Sequence, residues 1–418
     1  MNTSRCTVFC CAWAMALGGF GMVGCTTESD EFDEVSPLVP QPHRAGYGRV
    51  AYSYEEVEED ALSEPKVDVV HLSSGDILYS QRVHPRNDAP FLQFDGLLSR
   101  DGTHLFHSGD DGHGQIENLE DEASEIIKAP SSKSDTVVIP RDISADGSRA
   151  LFMWTGPDED AEEGGIMGGT RFGLWEDGVS ESLEQYLPDG QTIISAALSA
   201  DGTTIATVVL TERTEADQER FDYQVTVLEL SPEEVTRRQV SDFQATGIDL
   251  SKLGDEHRPR NHIAISDDAH RLAVITPFFS SDESEEPPAA DDPRFVLHTI
   301  VNDGSNAVSR YSTWVGPIQD VDLSPDGETV VMTARSSPDT PPQLVWFHHY
   351  DPGEPRVFAS HSSRGAWSPD GQNMALVQEF VHDDEDLQSA FATSLHQERN
   401  VLISDPKHRV YAVSWGWD

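Results

Sequence analysis

The chain has 418 residues and a formal net charge of −46 at pH 7, from 74 acidic and 28 basic side chains. A negative field of this size opposes binding to nucleic acid and to anionic lipid surfaces, and it suits a protein that stays soluble at high salt. All four cysteines lie within the first 25 residues, so the remainder of the chain has no disulfide.

Residues 1–24 predict a secretory signal peptide, because Arg5 precedes an apolar run from Val8 to Val23. The phrase Met22-Val23-Gly24-Cys25 resembles the lipobox of bacterial lipoproteins, in which the cysteine is lipidated. That resemblance implies a lipid anchor on Cys25, and Thr26 and Thr27 then favour the outer membrane. An uncleaved signal anchor is the alternative, since the apolar run is nearly long enough to span a bilayer.

Residues 25–45 are acidic, contain proline and lack periodicity, which predicts a flexible tether. The folded domain is predicted to cover residues 46–418. Its first strand-like runs are Arg49–Tyr54, Val67–Leu72 and Asp76–Ser80.

A five-residue phrase then recurs, a large apolar residue followed by Ser-x-Asp-Gly, and a β-prone run comes after each copy. Ser and Asp side chains bond to nearby amides and Gly accepts a positive φ, so each copy predicts a tight turn between two strands. In the copy at Ser266, Ala269 replaces the glycine, and we expect that turn to be the most distorted. The residues predicted to support these turns are Ser99, Asp101, Gly102, Ser144, Asp146, Gly147, Ser199, Asp201, Gly202, Ser266, Asp268, Ser324, Asp326, Gly327, Ser368, Asp370 and Gly371.

Each phrase belongs to a unit of four strands, which predicts an all-β fold with a single β-propeller. The serines recur at an average step of about 54 residues, and the rest of the domain supplies about two more steps. This spacing predicts seven blades, or six if the first three strands are an appendage. With seven, Val410–Trp415 supplies the innermost strand of the first blade, so both chain ends close one sheet.

Long polar inserts at Gly156–Gly169, Ser241–Pro259 and Ser280–Pro293 predict loops on the propeller faces. A short helix is predicted within Thr246–Asp255. Acidic loops at 109–112 and 156–164 are candidate calcium sites, since calcium prefers oxygen ligands.

The phrase resembles the WD40-like β-propeller repeat of the TolB-like family. The resemblance covers about residues 46–418 and is clearest at Leu323–Gly327 and Trp367–Gly371. It implies a propeller in the periplasm. The same repeat also resembles the propellers of prolyl-oligopeptidase-type peptidases and oligogalacturonate lyases, so it indicates the fold more than the function.

The sequence predicts no catalytic residue and no metal site. It contains no Gly-x-Ser-x-Gly elbow and no His-x-His or His-Glu-x-x-His spacing, and its 16 histidines are scattered. Because Ser and Asp recur six times at the same kind of turn, we interpret them as supports of the turn rather than as catalytic residues. No cofactor is predicted apart from the candidate calcium.

Several polar residues precede the repeat serines and would lie near the channel if the innermost strands line it. Two of them, Asp142 and Asp322, stand two places before a serine. Convergent polar groups in a concave site predict ligand binding. The candidates for the channel mouth, each four places before a serine, are Asp95, His262, Asp320 and Arg364.

The leading functional hypothesis is a monomeric, non-catalytic cell-envelope lipoprotein. Its propeller would be a platform for protein, peptide or other ligands, with no nucleic-acid partner and membrane contact through the lipid only. The alternative is a metal-dependent polysaccharide lyase or hydrolase acting in the channel. Histidines within ~4 to 5 Å of a common point would favour the enzyme, because such closeness is needed for metal ligation.

Overall fold

The structure is a computed structural model, and Cys25 and the rest of residues 1–46 lie outside the residues it describes. Everything described belongs to one compact unit, Ser36–Asp418. The described residues are 47–58, 61–83, 96–109, 111–130, 136–155, 170–215, 218–246, 261–277, 295–302, 310–316, 318–335, 340–349, 351–382, 385–394, 397–405 and 407–417.

The first four blades come from the first half of the chain. Blade 1 begins with β1 (Arg49–Glu58), β2 (Ala61–Leu62), β3 (Lys66–His71) and β4 (Ile77–Arg82). Blade 2 has β5 (Leu97–Leu98), β6 (His104–Ser108), β7 (Gly114–Asn118) and β8 (Ser124–Ile127). Blade 3 has β9 (Val137–Ile143), β10 (Arg149–Thr155), β11 (Thr170–Glu176) and β12 (Val179–Ser182). Blade 4 has β13 (Gln191–Leu198), β14 (Thr204–Glu215), β15 (Gln218–Leu230) and β16 (Val235–Thr246).

The last three blades and the closing strand follow. Blade 5 has β17 (Ile263–Ile265), β18 (Arg271–Pro277), β19 (Phe295–Val301) and β20 (Arg310–Gly316). Blade 6 has β21 (Ile318–Leu323), β22 (Thr329–Ala334), β23 (Gln343–His348) and β24 (Asp351–Ser360). Blade 7 has β25 (Ser362–Trp367), β26 (Asn373–His382), β27 (Glu385–Ser394) and β28 (Gln397–Leu402), and β29 (His408–Gly416) returns to blade 1.

The seven-bladed prediction is confirmed, and the six-bladed alternative is wrong. Strand β29 pairs with β1 in antiparallel register from Arg49 opposite Gly416 to Glu56 opposite His408. The two chain ends therefore share one sheet, as the spacing of the repeat predicts. The predicted insert at 241–259 begins later than expected, because β16 continues to Thr246. The rest of that insert, its predicted helix beyond Thr246 and the other two inserts lie outside the described residues.

The core lies between the blades. Strand β22 is an example: five of its six residues, from Val330 to Ala334, are buried on both faces of the sheet. A sheet covered on both faces needs a nearly continuous apolar run rather than alternation. The largest cluster joins blades 4, 5 and 6 through side chains such as Tyr223, Phe295 and Met332.

Helical structure is minor in the described part of the chain. A short 3-10 turn, Leu183–Tyr186, follows β12 and places Leu183 in the core between blades. No helix among the described residues has the length and apolar character needed to cross a bilayer.

Six Ser-x-Asp-Gly turns share one hydrogen-bond pattern. In each, the serine Oγ donates to the aspartate Oδ1 at 2.5 to 2.8 Å. The same Oγ accepts the N–H five residues later at 2.9 to 3.0 Å. The aspartate Oδ1 in turn accepts the N–H two residues after it. Each buried serine thus joins the end of an innermost strand to the start of the next strand.

The turn at Ser266 is not distorted, contrary to expectation. Ala269 takes φ +57°, close to the +65° to +74° of the five turn glycines. The side-chain amide of Asn302, the residue after blade 5's third strand, donates to the Ala269 carbonyl at 2.8 Å and so holds the turn. Strain is therefore present in the alanine backbone while the hydrogen bonds of the turn are kept.

Three arginines join these turns to neighbouring blades. Nη1 of Arg149 in blade 3 donates to the Gly202 carbonyl in blade 4 at 2.7 Å. Nη1 of Arg271 does the same to the carbonyl of Asp326, from blade 5 to blade 6. Nη1 of Arg49 in blade 1 donates to the Gly102 carbonyl of blade 2 in the same way.

Replacing Ala269 by glycine should stabilise the protein. An alanine in the left-handed conformation costs ~1 to 2 kcal/mol, whereas glycine adopts this φ without strain. The greater entropy of glycine in the unfolded chain cancels only part of the stability gained. We expect Ala269→Gly to raise the free energy of urea unfolding by about 1 kcal/mol. Ala200 occupies another such turn without a positive φ, so Ala200→Gly should lower the stability instead. Equal effects in the two variants would contradict the strain at Ala269.

Candidate functional site: the central channel

The innermost strands of all seven blades surround one cavity of about 230 Å³. Its walls are built mainly from the three residues before each repeat serine and from the residue after it. Because the turns hold six of the seven innermost strands at the same end, equivalent residues from different blades form layers around the axis. The polar members of the wall are Arg100, Arg141, Asp142, Asn261, Asp267, Asp320, Asp322 and Ser414.

One layer lies two places before the repeat serines. Small side chains dominate it, Ala197, Ala264 and Ala366, and they leave the cavity its space. Two aspartates interrupt this layer, Asp142 in blade 3 and Asp322 in blade 6. Three blades separate them in a ring of seven, so they approach the axis from opposite sides.

Asp142 is bonded into the framework of the channel. Its Oδ2 accepts the Leu198 N–H of blade 4 at 2.9 Å, and its Oδ1 accepts the Ile143 N–H. Burial raises the pKa of Asp142 to about 6, although these backbone donors and Arg100 act in the opposite direction. The carboxyl therefore titrates near neutral pH rather than in acid.

The pKa of Asp322 is raised further than that of Asp142. Its Oδ1 accepts the Leu323 N–H at 2.8 Å. Burial raises the pKa of Asp322 to about 7, and the negative charges of Asp320 and Asp142 add to the shift, while Arg100 opposes it. The negative charge of Asp142 thus acts on Asp322 across the cavity.

The variable residue of the turns forms a second layer. Backbone bonds join its members from blade to blade, for example from the Ala145 N–H to the Ala200 carbonyl at 2.6 Å. In this layer the Arg100 side chain crosses from blade 2 to Asp267 of blade 5, with Nη2 2.9 Å and Nε 3.2 Å from Oδ1. Its Nη1 lies 3.4 Å from the Trp367 carbonyl of blade 7. One guanidinium therefore bridges the channel at the end that carries the turns.

Towards the other end, polar side chains from three blades form a chain of hydrogen bonds. Arg141 Nη1 donates to Asn261 Oδ1 at 3.4 Å, and Asn261 Nδ2 donates to Asp320 Oδ1 at 2.9 Å. Arg141 Nη2 also contacts the Met153 sulfur. The channel consequently carries polar groups at both ends and two aspartates between them.

Of the four predicted channel-mouth residues, the structure describes the side chains of Asp320 and His262. Asp320 lines the cavity. His262 is buried: its N–H donates to Ser195 Oγ, and its Nδ1 faces the Ile275 carbonyl. Asp95 and the side chain of Arg364 lie outside the described residues. Ser195 has the same offset from its repeat serine and follows an equivalent bulge in β13, yet it is buried like His262, so one sequence offset does not give one direction.

Metal-binding groups are scattered in the described part of the chain. None of its histidines lines the cavity, and no three acidic or histidine side chains there are arranged around a metal position. In the predicted calcium loop, Asp111 Oδ1 accepts the His113 N–H at 3.0 Å. Asp110 and the loop at 156–164 lie outside the described residues, so calcium binding stays a prediction.

Sequence reasoning missed Arg100 and Asp267, the pair that bridges the channel. Both occupy the variable position of the turn, where the other four copies have alanine or proline. The two residues have opposite charges and are three blades apart in the predicted ring. This pattern in the sequence could have indicated an ion pair across the channel.

No known family model matches the chain, and no curated protein matches it. Solved structures do match. The β-propeller domain of the Trilobed protease from Pyrococcus furiosus is 13% identical over 86% of this chain and 93% of that one, with a TM-score of 0.52. An oligogalacturonate lyase in complex with manganese is 13% identical over 80% of this chain and 83% of that one, with a TM-score of 0.50. TolB from Acinetobacter baumannii is 13% identical, covers 90% of this chain and 84% of its own, and has a TM-score of 0.40. Together with the ring of seven blades, the likenesses to the first two structures show a β-propeller fold.

The raised pKa of Asp322 predicts a pH-dependent loss of stability. A carboxyl whose pKa is higher in the folded state stabilises that state while protonated, below about pH 3.8. The stabilisation is lost as pH rises through about 7. Asparagine cannot ionise and keeps an oxygen for the Leu323 N–H. We expect Asp322→Asn to exceed the wild type in urea-unfolding free energy by at least about 1 kcal/mol at pH 8 and to match it near pH 4.

Asp201→Asn is the matched control, because it changes the net charge equally. Although partial burial acts against it, hydrogen bonds from Ser199 and Thr203 lower the pKa of Asp201. Its stabilisation is present at neutral pH and is lost in acid, so this variant should be less stable than the wild type at pH 8. A destabilised Asp322→Asn variant at pH 8 would contradict the shift proposed for Asp322.

Proposed function

We propose that this protein is a non-catalytic binding platform of the bacterial cell envelope and that its ligand enters the central channel. The observation that carries the proposal is the cavity around which side chains from all seven blades converge. A concave site with an apolar wall and a few placed polar groups is the usual form of a ligand site. In six of the seven blades, hydrogen bonds of the turn serine hold the end of the innermost strand that forms the wall.

The size of the cavity limits its ligand. At about 230 Å³ it is smaller than the ~300 to 1,000 Å³ typical of pockets for drug-sized molecules. A small molecule, or one side chain of a protein or peptide partner, suits this volume. A partner protein would therefore insert a single residue while the rest of it lies on the face of the propeller.

The envelope location is supported by the first part of the sequence. A signal peptide that ends at a lipobox-like phrase before Cys25, followed by an acidic tether, is the arrangement expected of a lipid-anchored periplasmic or surface domain. In this proposal the lipid alone holds the protein on the membrane, since a net charge of −46 repels anionic lipid.

Removing the lipidation site should release the protein from the membrane. We expect Cys25→Ser to move from the membrane fraction to the soluble fraction of the producing bacterium, and to lose incorporation of a labelled fatty acid. Cys11→Ser, which changes a cysteine within the signal peptide, should remain lipidated. Membrane retention of the Cys25→Ser protein without the label would instead favour an uncleaved signal anchor.

Filling the cavity should abolish ligand binding. Ala264 lies on the cavity wall, so Ala264→Leu adds bulk where the ligand would bind, whereas Ala123→Leu adds it at an exposed turn. In a thermal-shift screen of small polar molecules and short peptides, we expect ligands that stabilise the wild type and Ala123→Leu but not Ala264→Leu. Ligands that stabilise all three proteins equally, or none at millimolar concentration, would contradict a binding site in the channel.

A metal-dependent lyase is the second candidate, favoured by the likeness to the oligogalacturonate lyase with manganese. At 13% identity that likeness shows the fold alone. Incubation of the protein with oligogalacturonate and Mn²⁺ distinguishes the two functions. Binding without chemistry leaves the substrate intact, whereas elimination forms an unsaturated product that absorbs ultraviolet light, and its appearance would overturn the non-catalytic proposal.

A further inference from the structure

We propose that the channel ligand carries a compact organic cation, an alkylammonium or alkylguanidinium group, which binds between Asp142 and Asp322 beside Arg100. This inference rests on the proposed function, because it names the ligand class of the same cavity. The group could belong to a free amine or to a lysine or arginine side chain of a peptide, and the experiment below separates these sources.

The first support is that a guanidinium already lies in the channel. Arg100 donates twice to Asp267 Oδ1 and also approaches the Trp367 carbonyl. Its positive charge acts on Asp142 and Asp322 as well, and lowers the pKa of both against the effect of burial. The chain itself therefore shows that this channel accommodates an organic cation among carboxylates.

The second support is a deficit of positive charge. Four aspartates line the cavity, Asp142, Asp267, Asp320 and Asp322, whereas the described lining includes only two cations, Arg100 and Arg141. Arg100 makes its ion pair with Asp267. Arg141 donates to Asn261 and approaches Met153. A second cation near Asp142 and Asp322 would compensate the carboxylates that Arg100 only partly neutralises.

The raised pKa values of these two carboxyls agree with that deficit. Buried aspartates titrate near neutral pH when the surrounding donors and cations offset only part of the cost of desolvation. The charged groups that face them are Arg100, Arg141, Asp267 and Asp320, one or more from each polar layer of the channel. A bound cation would favour the ionised form, so its binding should release protons below about pH 7.

The third support is the shape and character of the wall, which favours an organic cation over a metal ion. Alanines of three blades and Leu97 flank the aspartates, so an alkyl chain can pack against them while its charged end lies between the carboxylates. No three acidic or histidine groups of the described residues are arranged for a metal ion. An ammonium or guanidinium needs only hydrogen-bond acceptors.

Isothermal titration calorimetry can test this inference with 1,4-diaminobutane and agmatine as cationic probes and 1,4-butanediol as the neutral probe. Because the whole protein is strongly acidic, the titrations are made in ~0.5 M NaCl, which screens attraction to exposed carboxylates. We expect both cations to bind at pH 8 and the diol not to bind. Affinity should fall at least tenfold at pH 5, where both carboxyls are protonated, and buffers of different ionisation enthalpy should show proton release at pH 6.5.

Variants assign the binding to the channel. Asp142→Asn and Asp322→Asn should each weaken binding of the cations at least tenfold, and Ala264→Leu should abolish it. Glu120→Gln removes an equal charge from an exposed turn and should leave the affinity unchanged. Circular dichroism and thermal unfolding of every variant confirm that the fold is retained. N-acetyl-lysine methylamide, tested beside the free amines, shows whether a side chain within a peptide is accepted.

Each contrary outcome has a separate meaning. Equal binding to wild type and to the doubly substituted Asp142→Asn/Asp322→Asn protein would show surface attraction and overturn the inference. Binding of Mn²⁺ or Ca²⁺ without binding of either organic cation would also overturn it. A neutral ligand that Ala264→Leu excludes would leave the proposed function in place while the cationic ligand class is wrong. If no probe and no member of the thermal-shift screen binds in the channel, both proposals fail.

Discussion

The buried serine of the Ser-x-Asp-Gly turn is the constraint on which the channel depends. Its Oγ donates to the aspartate and accepts the N–H five residues later, so one hydroxyl joins the end of an innermost strand to the beginning of the next, as in Ser199. The serine hydroxyl both donates and accepts a hydrogen bond within the protein. Its burial therefore leaves no donor or acceptor unsatisfied and costs little free energy. Repetition of this geometry in six blades places equivalent residues in layers around the axis.

The same constraint separates positions that must be kept from positions that can vary. The serine, the aspartate and the left-handed residue are committed to the turn, whereas the residue between serine and aspartate contributes mainly its backbone to links such as Asp267 N–H to the Pro325 carbonyl. Its side chain is therefore available. In blades 2 and 5 it is charged, and the pair Arg100 and Asp267 spans the channel. Specificity can be introduced at this position without loss of the turn.

Repetition explains why the fold was predictable from the sequence and the site was not. Seven blades follow from the step between serines, and closure follows because the final apolar strand has no other partner, as the pairing of Val50 with Trp415 shows. The direction of a channel side chain, in contrast, does not follow from its offset along the strand, since Ser195 and Asp320 follow equivalent bulges and only Asp320 lines the cavity. His262 and Asp320 share one offset from their serines, yet the first is buried and the second lines the cavity. Ala269 shows a further limit of prediction from sequence. Alanine disfavours the left-handed backbone of this turn, but hydrogen bonds from neighbouring residues keep the turn intact.

Two populations of aspartate explain how an acidic protein can hold a selective site for a cation. The turn aspartates accept several hydrogen bonds, and although partial burial opposes it, these bonds lower the pKa of residues such as Asp146 and Asp370. They stay ionised and give the surface a negative field that attracts every cation weakly and is screened by salt. Asp142 and Asp322 are surrounded by protein, where burial raises their pKa. Backbone donors and Arg100 offset that effect in part, and a cation that enters the channel would add to this compensation. Selectivity would therefore come from desolvation of the cation within the ring of blades. In the channel the free energy of binding depends on the shape of the cation as well as on its charge.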